Sequence, residues 1–77
     1  RTAAGRVRKK NDPEIFAAIY NNAAISLLYK NPTPEDILTI KSWLTKASKT
    51  KDRDGHVVRG AKLALLNLVA LDKLAFN

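Results

Sequence analysis

The side chains with the clearest chemistry in this chain are cations gathered along one stretch: Lys41, Lys46, Lys49, Lys51, Arg53, Arg59 and Lys62. Thr39, Ser42, Thr45 and Ser48 are interleaved with them, and short hydroxyls beside Lys and Arg suit phosphate oxygens. A second group opens the chain, where Arg1, Arg6, Arg8, Lys9 and Lys10 meet no acid before Asp12. Over the whole chain 14 Lys and Arg stand against 7 Asp and Glu, a formal net charge of +7 in 77 residues. A surplus of that size points to a polyanionic partner: nucleic acid first, then an anionic membrane surface or an acidic protein. The candidate phosphate contacts are therefore Arg6, Arg8, Lys9 and Lys10 together with the seven cations from Lys41 to Lys62. For Lys46 and Lys49 a structural role competes, because the C-terminal turn of a helix favours positive charge.

Catalytic chemistry finds little support. The single His56 has no Cys to activate, and Ser26, Ser42 and Ser48 have no evident base. Glu35/Asp36 and Asp52/Asp54 read as caps and loop charges rather than as an acid–base couple. The three glycines form no phosphate-binding loop. With no Cys and one His, a metal site would depend on carboxylates, so no metal and no cofactor are expected. The expectation is a protein that is not an enzyme.

These residues must be positioned by helices. Asp12-Pro13-Glu14 is a helix start, with Asp12 the expected cap and Pro13 at the first helical position. Ile15, Phe16, Ile19, Ala23 and Leu27 then recur at helical spacing, and Asn31-Pro32 stops the run. Thr33-Pro34-Glu35-Asp36 reads as a capping box, followed by an inward stripe of Ile37, Ile40, Leu44 and Ala47. Trp43 lies at the border of that stripe and is the expected anchor for a subunit or partner contact. A polar loop, residues 49–55, leads to a third helix, for which Asp54 is the expected cap.

The third helix is apolar on nearly every side. Val57, Ala61, Ala64, Leu68, Leu71 and Ala75 form one seam, and Leu63, Leu66, Ala70 and Leu74 a second. Val58, Leu65, Val69 and Phe76 line a third side. Such a helix is expected to be buried nearly all round, with two companion helices covering two sides and another chain the rest. The expected interface residues are Trp43, Leu63, Leu66, Leu74 and Phe76.

The sequence thus predicts an all-α fold: a small three-helix bundle over residues 13–77, preceded by a flexible basic arm at 1–12. Its helices fall at about 13–30, 34–49 and 56–76. The expected function is non-enzymatic: an oligomerising nucleic-acid-binding domain, most simply a homodimer, that contacts DNA or RNA phosphates largely without sequence specificity. The alternative is a helical protein–protein interaction module of a larger regulatory, viral or phage assembly. Too few uncharged residues separate Lys62 from Asp72 for a membrane span. The basic opening segment is not followed at once by an apolar run, so no signal peptide is expected and the location is expected to be cytoplasmic, nucleoid or nuclear. Because the sequence starts at Arg1 rather than Met, it is expected to be a processed product or an excised fragment of a larger protein.

Overall fold

A computed structural model of the protein describes residues 12–75, with side chains through Lys73. Three helices follow in order: α1, Pro13–Leu28; α2, Pro34–Ser48; and α3, Arg59–Ala75. They pack as a three-helix bundle in which every helix touches the other two.

The strongest start signal belongs to α2. Thr33 accepts the Asp36 N–H at 3.1 Å through Oγ1, and its own N–H donates to Asp36 Oδ2 at 3.0 Å. This reciprocal pair is the capping box expected from the sequence. The α1 start works differently, because the Asp12 side chain makes no capping bond. Only the Asp12 carbonyl engages the helix, accepting Phe16 N–H at 2.9 Å, while Pro13 sets the first turn. At the other end, α1 stops two residues earlier than its sequence suggests. Asn31 adopts the left-handed region, φ 55°, and the following Pro32 excludes helical backbone before it.

The largest departure lies between α2 and α3. Residues 56–58 are not helical, and Asp54 caps nothing. Asp52 Oδ1 instead accepts the N–H groups of Asp54 and His56, both at 2.9 Å. The Asp52 N–H donates to the His56 carbonyl, and Lys51 and Val57 form an isolated antiparallel bridge. Gly55, at φ 80°, closes this small hairpin-like turn, and α3 can begin only beyond it. Thr50, fully buried, anchors the near side through Oγ1 to the Lys46 carbonyl at 3.1 Å.

The core is built from Ala17 and Ala24 of α1, Ile40, Leu44 and Ala47 of α2, Val58, and Ala61, Ala64 and Leu71 of α3. The inward stripe of α2 is as its spacing implied. That of α1 is turned: Phe16, Ala17, Asn21 and Ala24 are buried, whereas Ile15 is 51% exposed. The reason is close packing of small residues. A Cβ placed on Gly60 would lie 2.9 Å from the Ala18 nitrogen and 3.0 Å from the Ala17 Cβ, so α3 presses on α1 where neither has bulk. A turn or two further along both helices, Asn67 Nδ2 donates to Asn21 Oδ1 at 2.8 Å. The matching order of these contacts makes α1 and α3 run the same way, with α2 antiparallel to both.

Helix α3 is not buried all round. Leu63, Leu65, Leu66 and Val69 are exposed, because α1 and α2 cover only the side carrying Gly60, Ala61, Ala64 and Leu71. Among the described residues no helix is long and apolar enough to cross a membrane.

Candidate nucleic-acid interface

The turn at 51–58 reverses the chain, so the last turn of α2 and the first turn of α3 share one end of the bundle. Lys46 comes from the last turn of α2 and Lys49 from its C-cap, Lys51 and Arg53 from the turn, Arg59 and Lys62 from α3, and all six are exposed. The Gly60 contact with Ala17 and Ala18 brings the second turn of α1 against the first turn of α3 at that end as well. Asp12, through which residues 1–11 join the bundle, therefore belongs to the same pole. Four acids share it, Asp12, Glu14, Asp52 and Asp54.

Nine Lys and Arg stand against seven Asp and Glu in residues 12–75, a net of +2. The other five cations of the +7 total stand in residues 1–11. The candidates Arg6, Arg8, Lys9 and Lys10 thus lie outside the described residues, and so does Phe76.

Individual cations differ in their attachments. Lys46 Nζ sits 5.0 Å from the centre of the Tyr20 ring, a cation–π contact that ties the α2 terminus to α1. Tyr20 in turn packs on Phe16 with ring centres 4.7 Å apart. Lys41 belongs elsewhere. Its ammonium lies 3.4 Å from Asp72 Oδ1 near the opposite end of α3, so the geometry separates it from the pole. The periodicity of α2 could not reveal this, because the partner is 31 residues away in sequence and found only through antiparallel packing.

The hydroxyls are less available than their spacing suggested. Thr39 Oγ1 donates to the Glu35 carbonyl at 3.3 Å and Ser48 Oγ to the Thr45 carbonyl at 2.8 Å. Ser42 is exposed and Thr45 half-buried. Trp43 is half-buried and packs against the core. Of the other expected interface residues, Leu63 and Leu66 are exposed on α3, and the Leu74 side chain lies outside the described set.

One grouping escaped sequence reasoning. Asp52, Asp54 and His56 bring potential ligand atoms within 4.8 Å of one another, and His56 Nδ1 lies 3.9 Å from Asp52 Oδ2. Placing His56 in a helix hid this, and the Asp-x-Asp-Gly-His spacing of a tight turn was the available signal. The turn itself explains the cluster: Asp52 binds backbone N–H groups, and Asp54 and His56 face solvent. No family model, curated protein or solved structure matches this chain.

Proposed function

We propose that this protein is a non-enzymatic nucleic-acid-binding domain that holds phosphates at the pole formed by Lys46, Lys49, Lys51, Arg53, Arg59 and Lys62, and that it self-associates. The observation that supports this most directly is the convergence of those six exposed cations with the root of the basic segment 1–11. The cations on α2 and in the turn are mostly Lys, a point charge without the planar fork that reads base edges, which favours contact with the backbone over sequence recognition. The turn adds preorganisation. Asp52 binds the backbone from inside, so Lys51 and Arg53 are presented from a closed loop with little further ordering required.

The test is fluorescence anisotropy with single- and double-stranded DNA and RNA between about 50 and 200 mM salt. About six phosphate contacts give a log–log salt slope near −5 for duplex DNA. Replacing Lys49, Lys51 and Arg53 together by Glu lowers affinity and flattens the slope, while Lys41→Glu, away from the pole, leaves the slope unchanged. An affinity indifferent to salt, or a triple variant that binds as the parent does, overturns the reading.

A further inference from the structure

The outward face of α3 joins a leucine patch to cations and carries no acid. At 3.6 residues per turn, Arg59, Lys62, Leu66, Val69, Ala70 and Lys73 fall within an arc of roughly 100°, opposite the buried Ala64. Leu63, Leu65, Leu66 and Val69 expose 47%, 53%, 67% and 47% of their surface. Together they offer on the order of 400 Å² of apolar surface. Arg59 and Lys62 border this patch toward the start of the helix and Lys73 toward its end, all three exposed. The only acid in α3, Asp72, lies off this arc with its carboxylate 3.4 Å from the Lys41 ammonium.

Charge and size together select the occupant of this face. Its cations call for an anionic surface, whereas an identical face would set cation against cation. Its apolar area is about half of the ~800 Å² that each partner contributes to a standard stable protein interface. A lipid surface sets no such threshold. It deforms round a convex helix ridge, and its hold grows with the apolar area inserted and with attraction to anionic headgroups. Lys and Arg suit that boundary, because their stems lie along apolar surface while their charged heads reach phosphate. We infer that the α3 face docks on an anionic lipid bilayer, with Leu63, Leu66 and Val69 inserted and Arg59, Lys62 and Lys73 on headgroup phosphates. No helix among the described residues is long and apolar enough to cross a membrane, so this contact lies in the surface of one leaflet. It does not depend on phosphate binding at the pole, although Arg59 and Lys62 belong to both.

Co-sedimentation of the full chain with vesicles of phosphatidylcholine alone, or of phosphatidylcholine with phosphatidylserine, tests this. Partitioning onto the phosphatidylserine-containing vesicles is expected to be at least about tenfold stronger. Leu66→Ser, at a position already mostly solvated, weakens it by at least about fivefold while circular dichroism stays unchanged. Lys73→Gln, which lies away from the basic pole, weakens it by about threefold to fivefold. Leu66→Trp adds a fluorophore whose emission is quenched by brominated lipid chains more strongly than that of the parent's own Trp43.

Equal partitioning onto the two kinds of vesicle, or onto neither, overturns the inference. So does phosphatidylserine binding that Leu66→Ser leaves unchanged, since residues 1–11 and the pole would then supply the whole attraction. A chain that ignores vesicles but forms a Leu66-dependent dimer makes a second copy the occupant. One that ignores vesicles but binds a helical Glu–Leu peptide through Leu66 makes it an acidic helix. Either result refutes the bilayer. Leu66-dependent vesicle binding without any oligonucleotide binding supports this docking and refutes the nucleic-acid reading alone.

Discussion

Substituting Gly60 by Ala sets two effects of known sign against each other, and the α1–α3 distance decides between them. Replacing Gly by Ala within a helix is favourable by up to about 1 kcal/mol. Gly60 is only the second residue of α3, so the gain there is a fraction of that. Against it, the new methyl would stand 2.9 Å from the Ala18 nitrogen, 3.0 Å from the Ala17 Cβ and 3.1 Å from the Ala17 carbonyl carbon. Comfortable contact begins near ~3.5 Å, so the helices must part by roughly half an ångström. Two of the obstructing atoms are backbone, which no rotamer change can move. Overpacking of this kind costs about 1–3 kcal/mol, and the net loss is about 1–2 kcal/mol. A domain this small has only about 3–5 kcal/mol to lose, and each kilocalorie is worth roughly 4–8 °C in melting temperature. Thermal and urea unfolding of Gly60→Ala should therefore show a fall of roughly 5–15 °C, with Gly60→Val worse. Gly55 supplies the contrast. Nothing lies within 4 Å of a Cβ there, but φ is 80°, so Gly55→Ala costs about 1–2 kcal/mol through backbone strain and Gly55→Asn costs less. A Gly60→Ala protein that melts at or above the parent refutes the close-approach argument.

Two further outcomes follow from the polar contacts. Asn21→Ala leaves the Asn67 amide without its partner beside the core and should cost about 1–2 kcal/mol by urea titration, whereas replacing both Asn21 and Asn67 by Leu should cost less than the sum of the single changes. Thr33→Ala should lower stability by about 0.5–2 kcal/mol, and adding Asp36→Ala should cost little more, because the two residues form one reciprocal cap.

What the sequence made legible depended on whether the deciding interaction was local. The capping box of α2, its inward stripe of Ile37, Ile40, Leu44 and Ala47, and the stop at Asn31-Pro32 all depend on residues within a turn or two of one another. They are readable from spacing alone. The start of α3 was also decided locally, yet by competition: apolar Val57 and Val58 look like the first turn of an apolar helix. Asp52 captures the preceding N–H groups first, and its Asx turn outbids a helical reading that periodicity favours. The burial of α1 was readable only in part: Phe16 and Leu27 of the expected stripe pack inward. Its large residues Ile15 and Ile19 suggest one stripe, but Ala17, Asn21 and Ala24 go inward because the opposing surface of α3 is Gly60, Ala61 and Ala64. Which face of an apolar helix is buried is a property of its neighbour's shape.

The cations were legible as a count and only partly as a place. Lys41 left the group once antiparallel packing set it beside Asp72, and the remaining six stayed together because one turn joins the helices that carry them. Arg59 and Lys62 then acquire a double position, since the first turn of α3 is both the edge of the pole and the start of the exposed leucine face.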